Sequence, residues 1–195
     1  MSADSATLAF YEAQAPRYTL GFDRSHSRHL NAFLDRLAPS AHVLELGCGG
    51  GRDAARMQER GFRVDATDGC RAMVRKTRER FDIPARVLRF DQLDADKCYD
   101  AVWANACLLH VPRIELPDIL ARIRRALVPG GWHHATYKLG TAEGRDALGR
   151  LHNFPDAPWL SRIYAEAGFI DIAADIYAGD GADGVVRDWA AMTAR

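Results

Sequence analysis

Short apolar segments alternate with longer amphipathic segments from residue 41 onward. The short segments have strand character and cover residues 43–46, 62–67, 85–90, 99–105 and 132–139. The longer segments have apolar positions at helical spacing and cover residues 52–60, 70–81 and 115–127. Strands that alternate with helices are typical of βαβ units, so the pattern predicts an α/β fold with a mostly parallel sheet.

The last third of the chain continues the pattern with one change of direction. We predict a helix over 156–167, a strand over 169–177 and a tight loop over 179–184. The loop returns the chain, so we expect the last strand, over 185–193, to be antiparallel.

The residues ahead of the first strand have helical character. We predict helices over 5–13 and 25–37, each with a serine N-cap. No linker or repeat interrupts the chain. We therefore expect a single domain, residues 1–195, in which a core at 41–195 is covered by a helical lid at 1–38.

The charge balance limits the partners that we expect. Among the 195 residues are 26 Lys and Arg and 26 Asp and Glu, which gives a formal net charge of +0. A neutral chain has no long-range field to gather nucleic acid or anionic lipid. The N-terminal sequence lacks the pattern of a signal peptide. We expect a cytoplasmic protein that acts on a small molecule, and neither nucleic acid nor a membrane as partner.

The cysteines do not predict a metal site. Cys48, Cys70, Cys98 and Cys107 form no C-x-x-C pair. In a cytoplasmic protein such thiols are reduced and behave as small apolar side chains. We expect no bound metal.

Residues 45–52, with the sequence ELGCGGGR, place an acid at a strand end before a glycine-rich turn into a helix. Glycine lets the backbone approach a ligand closely, and a helix N-terminus suits a nucleotide-like group. The nicotinamide fingerprint G-x-G-x-x-G fails because Arg52 stands in the sixth position from Gly47. The Glu45 carboxylate would repel phosphate and suit an ammonium. The turn therefore predicts a nucleoside ligand without a pyrophosphate.

Two more acids follow predicted strands. Asp68 follows Gly51 by 17 residues, close to the spacing of about 20 at which an acid binds a ribose diol. Asp91 follows the third strand, where a carboxylate can accept from an adenine amino group. Parallel strands bring their carboxyl ends to one edge of a sheet, so we expect these acids to share a ligand site.

These motifs resemble the class I S-adenosylmethionine-dependent methyltransferases over nearly the whole chain after residue 40. The matching segments are VLELGCGGG (43–51), VDATD (64–68), RFDQL (89–93), YDAVWANACLLHV (99–111) and ALVPGG (126–131). The resemblance implies a Rossmann-like three-layer sandwich with a seven-stranded sheet. It also implies S-adenosylmethionine (SAM) as cofactor and S-adenosylhomocysteine (SAH) as product. GCGGGRDA and NACLLHVPRIELP are similar to a small bacterial group related to tellurite-resistance methyltransferases.

The resemblance assigns roles residue by residue. Cofactor contacts are implied for Glu45, Gly47, Cys48, Gly49, Gly51, Asp68, Gly69, Asp91, Gln92, Asn105 and Ala106. His110 and Leu109 fall where the family often faces its substrate. The position of His110 makes it the candidate general base. Tyr11 and Tyr18 are candidate lid residues because they lie in the N-terminal segment expected to cover the core. The N-P-P-[YF] motif of amide and adenine methylating enzymes is absent after the fourth strand, which speaks against DNA base methylation.

Structural alternatives stand beside these roles. Asp68 also suits a helix N-cap, Asp91 a turn, and His110 a strand end. Methyl transfer from a sulfonium needs an enclosed site and a well-placed nucleophile, and it needs a base only for an acceptor such as a phenol or amine. A SAM-binding protein without catalysis and a nicotinamide-dependent oxidoreductase are the alternative functions, and the failed glycine register disfavours the second.

Overall fold

The computed structural model describes residues 4–21, 26–181 and 183–195. The strands are β1 (His42–Leu46), β2 (Arg63–Asp68), β3 (Arg86–Val87), β4 (Tyr99–Ala104), β5 (Leu127–Lys138), β6 (Gly144–Arg145), β7 (Leu151–His152), β8 (Ala173–Asp180) and β9 (Val186–Ala194). The helices are α1 (Ser5–Gly21), α2 (Leu30–Leu34), α3 (Arg52–Glu59), α4 (Arg71–Phe81), α5 (Leu116–Ala126) and α6 (Ala157–Glu166).

Seven of these strands form one sheet in the order β3-β2-β1-β4-β5-β9-β8. The strands from β3 to β5 in this order are parallel, and β9 runs antiparallel to both of its neighbours. The α/β fold and the antiparallel last strand are therefore confirmed. The strand order reverses between β1 and β4, and this switch opens a crevice at their carboxyl ends, where open α/β sheets bind ligands.

Strand β4 is buried on both faces, as the three-layer sandwich requires. Val102 packs in a cluster with Leu120 of α5 and Tyr164 of α6 on one face. Its neighbour Trp103 packs with Phe33 of α2 and Met57 of α3 on the other. Because successive side chains of a strand point to opposite faces, one apolar strand joins the two helical layers.

The observed elements differ from the predicted ones at the sheet edges. The third strand has two paired residues, Arg86 and Val87, instead of 85–90, because the chain enters a 3-10 turn at Phe90–Gln92. Strand β8 begins at Ala173 instead of residue 169. The β6–β7 hairpin, a pair of two-residue strands, was not predicted.

The N-terminal helices also differ in extent. Helix α1 extends through Pro16 to Gly21, beyond the predicted end at residue 13. Its N-cap contact comes from Asp4, whose Oδ1 accepts from the Thr7 backbone N–H at 2.8 Å, and not from a serine. The second helix is confined to Leu30–Leu34, and the serine proposed as its cap, Ser25, lies outside the described residues.

Candidate cofactor and acceptor cavity

A cavity of about 570 Å³ lies at the carboxyl ends of β1, β2 and β4. Glu45, Asp68 and Asn105 line it from these strands, and α1 covers it with Tyr11 and Tyr18 among other side chains. Its volume falls within the range of roughly 300–1,000 Å³ that is usual for small-molecule sites.

The glycine-rich turn between β1 and α3 forms one wall of the cavity. Gly47 has a φ of +70°, and a Cβ on it would lie 2.5 Å from Cβ of Cys107. Gly49 has a φ of +55°, and a Cβ on it would meet nothing within 4 Å. Gly47 is therefore required by packing, whereas Gly49 keeps ligand space open. Cys48 also lines the cavity, but Gly51 lies behind the turn against Thr77.

Glu45 is a buried carboxylate with an unused oxygen. Its side chain lines the cavity, and Oε2 has no hydrogen-bond partner among the described residues. Burial raises the pKa of Glu45 well above its usual value, and the nearby carboxylates of Asp53 and Asp68 raise it further. A buried acceptor without a partner is costly, so the site favours a ligand that donates a hydrogen bond or carries positive charge here.

Asp68 ties the glycine turn to the end of β2. Its Oδ2 accepts from the Gly49 N–H at 2.9 Å and its Oδ1 from the Cys70 N–H at 2.8 Å. Burial raises the pKa of Asp68 to about 6, although these two hydrogen bonds lower it. The following helix is capped by Glu12 of α1, which accepts from the Arg71 N–H at 2.6 Å. Asp68 and the adjacent Gly69 thus remain on the cavity wall.

The predicted adenine contacts, Asp91 and Gln92, do not line the cavity. Leu88, Arg89 and Phe90 form the wall at this point instead. The 3-10 turn directs the chain back on itself, so that Asp91 lies 3.4 Å from the Arg89 Nε and the Gln92 Oε1 accepts from the Arg89 N–H at 3.1 Å.

Asn105 and Ala106 line the cavity where β4 ends. The Ala106 N–H donates to the Thr136 hydroxyl at 2.8 Å, and this hydroxyl donates to the Asn105 Oδ1 at 3.1 Å. The Asn105 amide nitrogen donates to the Ser27 Oγ at 2.8 Å. This chain of hydrogen bonds fixes the loop after β4 relative to the segment between α1 and α2.

Asp53 is a cavity residue that the sequence did not single out. It accepts from the Ser27 backbone N–H at 2.8 Å, from the Ser27 hydroxyl at 2.6 Å and from the Trp103 indole at 2.9 Å. The signal available in the sequence was an acid in the first turn of α3. Its role depends on Ser27 and Trp103, which come from distant parts of the chain.

Tyr11 and His110 meet on the cavity wall. The Tyr11 hydroxyl lies 2.9 Å from Nε2 of His110, and Nδ1 of His110 lies 2.6 Å from the Leu151 carbonyl oxygen. A carbonyl only accepts, so Nδ1 carries the proton and Nε2 accepts from Tyr11. Tyr18 packs edge-on against the Tyr11 ring at 5.2 Å, whereas Leu109 is buried in the core and does not line the cavity.

The β6–β7 hairpin surrounds His110 with buried polar groups. Arg150 donates to the Tyr11 hydroxyl at 3.0 Å and to Asp146 Oδ2 at 2.6 Å, and His152 lies 3.0 Å from the same oxygen. The pKa of His110 is lowered to about 3, chiefly by burial and to a smaller extent by the nearby His152. His110 is therefore a neutral imidazole whose free lone pair is already bound, which weakens its case as a general base.

Two features are absent from the described part of the chain. No described helix has the length and apolar character that crossing a bilayer requires. No group of three or more His, Cys, Asp or Glu in the described part of the chain is placed to hold a metal ion.

Comparisons with known proteins agree with this geometry. Residues 43–131 match the family described as "Methyltransferase domain". They run from β1 to the turn inside β5 and include the glycine turn, Asp68, Asn105 and His110. Residues 43–131 are thus similar to a methyltransferase domain.

Two curated relatives match part of the chain. An uncharacterised methyltransferase of Mycobacterium tuberculosis is 35% identical over 109 residues, which cover 53% of this chain and 54% of the relative. The trans-aconitate 2-methyltransferase of Deinococcus radiodurans is 29% identical over 163 residues, which cover 75% of this chain and 61% of that protein. The chain thus spans about half the length of the first relative and under two thirds of the second.

Solved structures share the fold over nearly the whole chain. The Burkholderia thailandensis 1,6-didemethyltoxoflavin-N1-methyltransferase, solved with bound 1,6-didemethyltoxoflavin and SAH, has a TM-score of 0.77 at 23% identity. The match covers 98% of this chain and 87% of that chain. The Haemonchus contortus phosphoethanolamine N-methyltransferase 2 has a TM-score of 0.77 at 17% identity. The match covers 98% of this chain and 60% of that chain. The fold is therefore that of SAM-dependent methyltransferases, with a Rossmann-like core.

Proposed function

We propose that this protein transfers a methyl group from SAM to a small-molecule nucleophile. The observation that carries the proposal is the continuity of one cavity, whose wall contains the glycine turn and Asp68 together with Tyr11 and His110. A cofactor and an acceptor bound in one enclosed space are held at the distance that an in-line displacement requires.

The residues present fit the cofactor. SAM, when bound, supplies an electrophilic methyl group on a positively charged sulfur. The unpartnered Oε2 of Glu45 suits the ammonium of its methionine part, and the open space over Gly49 admits that part close to the backbone. The Asp68 carboxylate suits the ribose hydroxyls, and the wall formed by Leu88 and Phe90 suits a flat adenine.

Helix α1 acts as the lid that excludes water from this space. Asp4 at its start is bound by two nitrogens of Arg145 at 3.0 and 2.8 Å. Glu12 in its middle caps α4 through the backbone N–H groups of Arg71 and Ala72. The helix is thus fixed to the β6–β7 hairpin on one side and to α4 on the other. Exclusion of water favours a reaction in which the charge on sulfur disappears.

Two readings of His110 follow from its surroundings. As a general base it would first have to give up the Tyr11 hydroxyl at Nε2. As an orienting residue it holds Tyr11 against the acceptor without taking a proton. A SAM-binding protein without catalysis is the second candidate function, favoured by the same occupied lone pair.

Transfer of labelled methyl from SAM tests the proposal. The acceptor panel contains carboxylates, phenols, thiols and amines, with trans-aconitate included because a relative is named for it. Tellurite is included because of the resemblance to the tellurite-resistance group. Label in any acceptor, lost in the Gly49→Ala variant, supports methyl transfer. SAM binding without label in any acceptor favours the non-catalytic candidate. The cytoplasmic location and the single-domain organisation stay predictions.

A further inference from the structure

The two ends of the cavity differ in charge. Three acids line the cofactor end: Glu45 and Asp53, which are buried, and Asp68, which is partly buried. These acids suit a ligand that carries positive charge. The other end, toward the β8–β9 hairpin, has a buried lysine behind its wall.

This lysine is Lys138, the last residue of β5. Its side chain is 3% exposed, and its Nζ lies 5.6 Å from the centre of the Trp189 ring. Trp189 and Gly181 both line the cavity. A Cβ on Gly181 would overlap the Lys138 ammonium. The positive charge therefore lies directly behind the wall that these two residues form.

The acid that pairs with Lys138 is shared with a second cation. Asp183 is 1% exposed, and its Oδ1 lies 3.5 Å from the Lys138 Nζ. Its Oδ2 accepts from the Arg187 guanidinium at 2.8 Å. One carboxylate between two cations leaves this buried group with a net positive charge. Burial lowers the pKa of Lys138, so an anion bound at the wall would restore stability to its charged form.

Near Tyr11 and the β6–β7 hairpin, each buried acid of the described residues is paired with an arginine. Arg150 binds both Tyr11 and Asp146, and the cavity residue Asp4 is bound by Arg145. Two further cavity residues, the exposed Asp180 and Arg28, carry opposite charges. The net field at this end therefore favours a negative ligand.

The histidine proposed as a base is already occupied. Nε2 of His110 is occupied by the Tyr11 hydroxyl. An acceptor that is already an anion needs no base, because its nucleophilic lone pair is available without loss of a proton.

We infer that the acceptor is an organic carboxylate, bound against the wall formed by Trp189 and Gly181 and drawn by the positive charge at Lys138. The inference rests on the proposed function. In the step, a lone pair of the carboxylate oxygen forms the O–CH₃ bond while the C–S bond breaks and its electron pair returns to sulfur. The sulfonium and the carboxylate are both neutralised, giving a methyl ester and a thioether with no proton released.

Three ligands of the same shape test this charge preference. Benzoate, benzamide and benzamidine are flat aromatic molecules with charges of −1, 0 and +1. Their dissociation constants are measured by calorimetry on protein saturated with SAH. We expect benzoate to bind at least tenfold more tightly than benzamide, and benzamidine to bind most weakly. Equal binding, the reverse order, or no binding of the three ligands overturns the inference.

A matched pair of variants locates the charge. Lys138→Met removes the buried cation and leaves Asp183 its partner Arg187, whereas Arg75→Met makes the same charge change on an exposed position of α4. We expect the preference for benzoate to fall below threefold in the first variant and to persist in the second. A preference that survives in Lys138→Met contradicts the inference.

SAH affinity separates this inference from the proposed function. If SAH binds equally well to the native protein and both variants, but the native protein shows no preference for benzoate, the proposed function stands and the inference of a carboxylate acceptor fails. Absence of SAH binding in the native protein removes the proposed function itself.

Discussion

The hydroxyl of Tyr11 lies 2.9 Å from Nε2 of His110 and joins the lid helix to the loop after β4. The opposite ring nitrogen of His110 is committed to the Leu151 carbonyl at 2.6 Å. The imidazole is therefore fixed in one tautomer by contacts from both sides. This pairing makes the N-terminal helix part of the cavity wall and connects the cavity to the β6–β7 hairpin.

Replacing Tyr11 tests this connection. In Tyr11→Phe, His110 Nε2 and one N–H of Arg150 lose their partner, and both groups are buried. Leaving buried polar groups unpaired costs about 1–3 kcal/mol, so we expect the free energy of unfolding in urea to fall by this amount. Tyr177→Phe is the control, because its hydroxyl has no hydrogen bond to the described residues and should change stability little. Equal effects of the two substitutions would argue against the role assigned to Tyr11.

The affinity for SAH should depend on pH through Asp68. The ribose hydroxyls donate to an ionised carboxylate, and burial raises the pKa of Asp68 to about 6. Below this pH the free protein holds a proton that the ligand must displace. We expect the dissociation constant to rise by about tenfold for each pH unit below 6 and to level off above it. Calorimetry from pH 5 to 8 measures this, and Asp68→Asn should remove the step; a flat profile in the native protein would contradict the assignment.

Two glycines of the same turn should respond differently to alanine. Both have positive φ, which costs a side chain about 1–2 kcal/mol. At Gly47 the new Cβ would also lie 2.5 Å from Cβ of Cys107, whereas at Gly49 it would enter open cavity space. We expect Gly47→Ala to lose several degrees of melting temperature more than Gly49→Ala. Gly49→Ala should fold and lose at least tenfold in SAH affinity, and retention of full affinity would show that the turn is not the ligand site.

Glu12 links the lid helix to α4. In Glu12→Ala the N–H groups of Arg71 and Ala72 lose their acceptor, which costs about 1 kcal/mol as for other lost helix caps. The lid would open more often, so we expect SAH to dissociate several times faster in stopped-flow measurements. The control Glu79→Ala removes an exposed acid from α4, the helix that Glu12 caps, and should leave the dissociation rate unchanged. Equal rates in Glu12→Ala and the native protein would show that the contact does not control access.

The sequence predicted the fold from β1 to β5 because apolar runs and helical spacing are local signals. It did not predict the β6–β7 hairpin, since strands of two residues have no periodicity to detect. This hairpin is held by tertiary contacts such as the pairing of Arg145 with Asp4. A contact between residues so distant in the chain leaves no pattern in either segment.

The site shows the same division. Glu45 and Asp68 were predicted because each stands at a strand end beside a glycine, and the structure places both on the cavity wall. Asp53, Lys138 and Arg150 were not predicted as site residues. Their roles depend on which side chains the fold brings beside them, and on the loss of solvent that gives one buried charge its influence.

Titration of SAH into the protein at pH 7.5, followed by calorimetry, tests the central claim most directly. The account predicts one site with a micromolar or lower dissociation constant, a loss of at least tenfold in Asp68→Ala, and no change in Asp96→Ala, where the replaced acid is exposed and outside the cavity. No measurable heat from the native protein, or equal affinity in the native protein and Asp68→Ala, would contradict a SAM site in this cavity.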